Sequence, residues 1–302
     1  MQTQSSSLTA LSADVASLAT QASQSSIALR DRGRWFSGFY WRPDVIASAA
    51  ELIAAKTGAR LTVVTPSQET IEGIVIGRDA STDIALIRVG ASAPAVAPAT
   101  GAQVSLGQAV LAAGRSPHGP TCAVGCVALS GQPWRSMRGG EVGPRIWLDI
   151  RLPSHAEGSA VFDAGGRFVG MSVFAPRRRV LLIPAETIER VGHELLAHGR
   201  IRRGYLGVGV QAVAVGTVAD TGHGAKKTGL MIISLDPKGP AAQASLQQGD
   251  IILAFDGSAT DSVRALSAML RNAAPGTTAN LDISRSGRDM RMAVTLGEGP
   301  TV

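Results

Sequence analysis

From residue 34 to residue 183 the chain repeats one pattern, a short apolar run closed by a turn signal, which restricts this stretch to strands folded as barrels or sandwiches. The expected strands are Gly38–Trp41, Arg60–Thr65, Glu72–Arg78, Ile84–Val89, Ala109–Ala113, Ala123–Ser130, Arg145–Asp149, Ala160–Phe162, Phe168–Phe174 and Arg179–Ile183. Pro-Asp, Gly-Arg-Asp and Ala-Gly-Gly-Arg turns separate them. Composition agrees: 35 Gly and 15 Pro with only 4% aromatic residues favour short strands and turns over long helices.

Other segments read differently. Residues 1–30 carry Leu8, Leu11, Val15 and Leu18 near helical spacing, which predicts a short amphipathic helix before a strand at Ile27–Arg30. The Ala-rich stretch around 91–105 divides two strand groups. Residues 185–198 form the clearest helix, with Ile188, Val191, Leu195 and Leu196 on one face and Gly199 as its stop. A basic linker over 199–204 leads into a compact unit over 205–297. That unit carries a Gly-Asp turn at 249–250 and a helix near Ser262–Asn272. The expected domains are thus an N-terminal segment 1–30, an all-β domain 31–198 whose two strand groups split near 91–105, the linker 199–204 and the final unit 205–297.

Several classes of function find no support. Formal net charge is +6, but Arg30/Arg32/Arg34, Arg177–Arg179 and Arg200/Arg202/Arg203 are scattered and lack interleaved aromatics, so no nucleic-acid groove is expected. No apolar run reaches bilayer length. Cys122 and Cys126, on one extended strand, lie about 13 Å apart, too far for a disulfide, and read as buried or half-buried thiols. His193 and His198 imitate a zinc-protease motif but diverge by about 140° around the helix. Gly222-His-Gly-Ala-Lys-Lys-Thr228 lacks the glycine and the context of a phosphate loop. No metal or cofactor is expected.

Residues 184–210, Pro-Ala-Glu-Thr-Ile-Glu-Arg-Val-Gly-His-Glu-Leu-Leu-Ala-His-Gly-Arg-Ile-Arg-Arg-Gly-Tyr-Leu-Gly-Val-Gly-Val, resemble the junction of HtrA/Deg proteins, where a trypsin-like double β-barrel ends in a helix and a PDZ domain begins. Residues 229–257, with Asp236-Pro-Lys-Gly-Pro240 and Gly249-Asp-Ile-Ile252, are similar to that family's PDZ core. Ser37-Gly-Phe39 and Gly77–Val89 match the segments around its catalytic histidine and aspartate, and residues 148–171 match its nucleophile segment.

The resemblance places the triad aspartate at Asp83. At the histidine position, within Ala47-Ser-Ala-Ala-Glu51, stands Ala50; at the serine position, within His155-Ala-Glu-Gly-Ser-Ala160, stands Glu157. Serine attack on an amide needs a base, and the aspartate serves to orient that base. Ala50 can accept no proton. Glu157 is a poor nucleophile toward an amide, and its charge opposes a developing oxyanion. Glu157 is expected to accept the backbone amides of its own turn as an anion mimic. Asp83 is expected to cap the local turn amides at Thr82-Asp83.

In the PDZ-like unit the resemblance implies that Tyr205-Leu206-Gly207-Val208 holds a peptide carboxylate and that the strand from Gly209 and Val210 pairs with the peptide, Val263 and Leu266 walling the pocket. Two readings of function follow. The first is a proteolytically inactive homologue that binds peptides or protein C-termini, as a homo-trimer or together with an active relative. The second is an active quality-control endopeptidase whose nucleophile has moved to Ser159 or Ser154. With no basic n-region or apolar core at its start, the chain as written is expected in the cytoplasm; the resemblance makes the cell envelope the alternative.

Overall fold

A computed structural model of the chain describes residues 7–90, 93–96, 104–217 and 226–299. The chain divides into two compact units, Met1–Ile201 and Arg202–Val302. Most of the Ala-rich stretch and of the Gly222–Thr228 loop lies outside the described residues.

In the first unit, helix α1 (Ser7–Ser23) precedes a closed barrel of β1 (Ser26–Asp31), β2 (Arg34–Arg42), β3 (Val45–Ser48), β4 (Arg60–Val64), β5 (Thr70–Asp79) and β6 (Ile84–Val89), in the order β1-β2-β3-β6-β5-β4. The first half of α1 leaves Leu8 and Leu11 exposed, while Val15 and Leu18 pack against the core of the first unit. Strand β3 departs from the expected pattern. Its four residues follow β2 after only Pro43 and Asp44, and although Val45 and Ile46 favour a strand, Ala47 and Ser48 carry little strand propensity. Pairing with β2 and β6 on both sides makes it a strand regardless. Phe36, Phe39, Tyr40 and Trp41 of β2 are almost fully buried, each contributing roughly 1.5–3 kcal/mol of burial.

The second closed barrel contains β7 (Ala109–Ser116), β8 (Gly119–Arg135), β9 (Glu141–Asp149), β10 (Ala160–Asp163), β11 (Phe168–Ala175) and β12 (Arg179–Pro184), ordered β10-β11-β12-β9-β8-β7. Both cysteines are free on β8. Cys126 is half-buried, but Cys122 is exposed, because the outer face of β8 is solvated. Helix α2 (Ala185–His198) closes the unit, burying Ile188, Val191 and Leu195; Leu196, about 100° further round the helix, is exposed. Glu189 ties the helix down, accepting the Trp41 indole N–H at 2.8 Å and the Arg42 guanidinium at 2.6 Å.

The second unit begins with β13 (Gly204–Tyr205). Its sheet follows the order β14 (Val208–Thr217), β15 (Lys226–Leu235), β16 (Ile251–Phe255), β18 (Thr278–Arg285) and β19 (Arg288–Thr295), with β17 (Ser258–Ala259) on β16. β20 (Gly297–Glu298) pairs with β13. Leu230, Ile232, Ile252, Leu281, Ile283 and Val294 form the core. Helices α3 (Pro240–Gln243) and α4 (Val263–Asn272) complete the unit, and Ser262 caps α4 through Ala265 N–H. The Gly249-Asp250 turn is fixed by Arg285, which donates to both oxygens of the buried Asp250 at 2.7 Å.

Candidate active site and peptide groove

Glu157 follows a short 3-10 turn, Ser154–Ala156, that leads into β10. Strand β2 holds this turn in place. Ser37 N–H donates to the Glu157 carbonyl at 3.0 Å, and the Ser37 hydroxyl donates to the His155 carbonyl at 2.8 Å. Ser48 of β3 in turn donates to the Ser37 carbonyl at 2.7 Å. Gly158 has φ +86, and a Cβ there would sit 2.3 Å from the Ser37 carbonyl oxygen, so only glycine fits. The sequence placed Ser37 in the segment leading to the histidine position, but not its role in holding the Glu157 turn.

The Glu157 side chain is 6% exposed. Its carboxylate does not accept from the amides of its own turn, contrary to the expected anion mimic. Oε1 takes the N–H of Phe174 at 3.0 Å, and Oε2 faces the Arg34 guanidinium at 3.5 Å. The geometry of β11 explains this. Ser172 N–H donates to the Ser159 carbonyl of the turn into β10 at 3.0 Å, and Phe174, two residues on, presents its N–H to the same side where β10 offers no carbonyl. The carboxylate of Glu157 stands in for that missing acceptor. Burial pushes its pKa up, opposed by the Phe174 amide and the Arg34 charge.

Ala50 opens the 3-10 turn after β3, and β3–β6 pairing brings it to Asp83. Ala50 N–H meets the Asp83 carbonyl at 3.3 Å, and Glu51 N–H donates to Asp83 Oδ1 at 2.8 Å. The Asp83 carboxylate therefore does not cap its own turn. Asp79 does, accepting from the Ser81 amide and from the hydroxyls of Ser81 and Thr82. Asp83 adopts φ 60, and its pKa is pushed up to about 7, first by burial and then by the charges of Glu51 and Glu157 against the Glu51 amide. Asp83 thus meets the Ala50–Glu51 backbone and lies within reach of the Glu157 charge.

Ser159 is fully buried, its hydroxyl donating to the Ala156 carbonyl, whereas Ser154 is exposed. Among the described residues no group of three or more His, Cys, Asp or Glu side chains is placed to hold a metal ion. His193 is exposed and turned to Glu189 at 3.3 Å.

In the second unit, Gly207 has φ +77, and a Cβ there would meet Gly239 Cα at 3.1 Å. This turn leaves the amides of Leu206 and Gly207 with no acceptor among the described residues, while their carbonyls accept from Ala241 and Asp236. Val208, Gly209 and Val210 run along β14, an edge of the sheet beside α4. Tyr205 sits on β13, half-buried. Leu206 and Leu266 are buried in the core, while Val263 is 46% exposed.

Fold and site together define a trypsin-like double-barrel domain followed by one PDZ domain. A model of the trypsin-like peptidase domain matches residues 36–171, and a PDZ domain model matches residues 204–296. The chain is 30% identical over 233 residues to a probable periplasmic serine endoprotease DegP-like from Halomonas elongata, covering 75% of this chain and 48% of that protein. A protein of the same description from Pseudomonas fulva is 31% identical over 265 residues, covering 85% of this chain and 52% of that protein. The chain spans about half the length of the curated relatives it matches. Among solved structures, the serine endoprotease from Yersinia pestis matches with TM-score 0.70 and 21% identity, covering 94% of this chain and 98% of that one. The HtrA-type protease AlgW with decapeptide matches with TM-score 0.71 and 19% identity, covering 95% and 99%. The chain belongs to the HtrA/Deg family of trypsin-like serine proteases with a C-terminal PDZ domain.

Proposed function

We propose that this family member holds peptides rather than cutting them. The observation that carries the reading is the Glu157 carboxylate on Phe174 N–H beside Ala50 and Asp83. In a trypsin-like site the nucleophile, base and orienting acid act as a unit. Here the orienting acid has no base to orient, and the nucleophile position carries an acceptor already bound to the backbone. Relocation to Ser159 gains no support, since that hydroxyl is buried and bonded to a carbonyl.

Binding is assigned to the PDZ domain. A peptide C-terminus would meet the amides of Leu206 and Gly207, and the peptide would extend the sheet along β14. Val263 and Val208 are the accessible apolar side chains there, and the buried Leu206 and Leu266 support them from the core. We read the bacterial cell envelope, not the cytoplasm, as the working compartment, on the periplasmic descriptions of the relatives. The proposed assembly is a homo-trimer or a hetero-oligomer with an active relative, with a part in protein quality control. A serine-directed fluorophosphonate probe tests the loss of catalysis. The reading expects no labelled serine, and labelling of Ser159 or Ser154 would overturn it.

A further inference from the structure

One buried cation of the first unit takes no part in the candidate site. Arg115, on β7, is 3% exposed and has no carboxylate partner among the described residues. Backbone carbonyls hold its guanidinium instead. Nε donates to the Ser26 carbonyl at 2.8 Å, and a terminal nitrogen donates at 3.2 Å to the carbonyl of Ser23, the last residue of α1. A cation at this end of a helix meets the negative pole of its dipole and the carbonyls that the last turn leaves unpaired. Burial pulls the Arg115 pKa down, and these carbonyls offset the cost of keeping the charge inside.

The main chain of the same residue faces the other way. Arg115 N–H donates to the Ser37 hydroxyl at 3.0 Å, and that hydroxyl donates to the His155 carbonyl at 2.8 Å. Ser37 N–H holds the Glu157 carbonyl at 3.0 Å. A continuous set of hydrogen bonds thus joins the end of α1 to the turn that carries Glu157. Gly114 leaves no slack beside it, since a Cβ there would sit 2.6 Å from the Ser159 hydroxyl oxygen and 2.7 Å from that of Ser37. Helix α1 itself is held by its second half, where Val15, Leu18 and Ala22 pack inward, while Leu8 and Leu11 are exposed.

We propose that α1 is a latch on the Glu157 turn and that Arg115 is the positioning residue between them. With α1 docked, the guanidinium has its acceptors, and the Arg115 main chain keeps Ser37 against His155. With α1 lifted, the guanidinium loses Ser23 and turns to water, because a charge is not kept buried without acceptors. Its amide then leaves the Ser37 hydroxyl, and the turn loosens. The inference goes beyond peptide holding and stands whether or not the chain cuts.

Hydrogen exchange of the full chain, read by mass spectrometry, tests the latch. The amides of Ala156, Gly158 and Ser159, bonded to the carbonyls of Pro153, Ser172 and Ala156, report on the turn. Val15→Asp unseats α1 about two turns before Ser23, and Arg115→Gln cuts the link itself. In both variants the turn amides are expected to exchange about tenfold or more faster than in the parent, with those of β4 unchanged. A general loss of stability would instead speed β4 and the turn alike. The proposal is overturned if either variant leaves the turn amides at the parent's rates, or if β4 exchanges faster to the same extent as the turn.

Discussion

The carboxylate of Glu157 accepts the backbone N–H of Phe174 at 3.0 Å and so extends the β10–β11 ladder past the end of β10. Truncation removes that acceptor and leaves the amide unpaired. Glu157→Ala is therefore expected to cost about 1–3 kcal/mol, the penalty of an unsatisfied buried group. Glu157→Gln keeps a side-chain carbonyl at the same reach and is expected to stay within about 0.5 kcal/mol of the parent. Urea denaturation of the two variants separates them.

Asp83 gives the first unit a pH dependence. Its carboxyl is raised to about 7 in the fold, first by burial, against an ordinary value of 3.8. Between these values the folded chain keeps a proton that the unfolded chain has released, so this group's contribution to stability falls as pH rises through the window. Asp83→Asn removes the dependence and keeps an acceptor for Glu51 N–H. The variant is expected to melt about 2–4 °C above the parent near pH 8 and level with it near pH 4, a shift corresponding to ~1 kcal/mol once solvent access is allowed for. Calorimetry at the two pH values measures it.

Much of this was legible in the sequence. The repeating strand-and-turn pattern marked an all-β domain in two strand groups, and the resemblance at 184–210 supplied the double barrel and the PDZ turn at Tyr-Leu-Gly-Val. β3 was not legible, because its apolar run of Val45 and Ile46 passes at once into Ala47 and Ser48, and partners on both sides complete the strand. The contacts of Glu157 were hidden for a similar reason: Phe174 N–H lies 17 residues away and needs an acceptor only because β10 stops short. The arginine run 177–179 lacks aromatics in sequence, but folding sets Arg179 on Trp147 and Arg178 on Phe174. Asp79 caps the turn four residues before Asp83, and the two flank the same turn, so the pattern does not tell which acid caps it.

Asp250 anchors the second unit. Burial pushes its pKa up, but the bidentate Arg285 contact and the Gln247 amide outweigh burial and leave it lowered. A depressed carboxyl contributes stability above its unfolded value that is lost as pH falls through the folded one. Asp250→Ala is expected to destabilise this unit by about 2–3 kcal/mol at neutral pH and by less in acid below 3.8. Denaturation followed by far-ultraviolet circular dichroism shows whether the loss shrinks with pH.

Gly207 tests the proposed carboxylate loop. A side chain there meets Gly239 and strains a left-handed residue. Gly207→Ala is expected to weaken binding of peptides with a free, apolar C-terminus by about tenfold or more, while amidated peptides bind the parent and the variant alike. Calorimetric titration of both peptide forms reads the difference.

The central claim is that the chain holds peptides and does not cut them. Its most direct measurement is fluorophosphonate labelling with casein cleavage, run on the parent chain and on Ala50→His combined with Glu157→Ser. The account predicts no labelled serine and no cleavage for the parent, with labelling at position 157 appearing only when both residues are changed. A parent chain that labels at Ser159 or Ser154, and that loses casein cleavage when that serine becomes alanine, would contradict it.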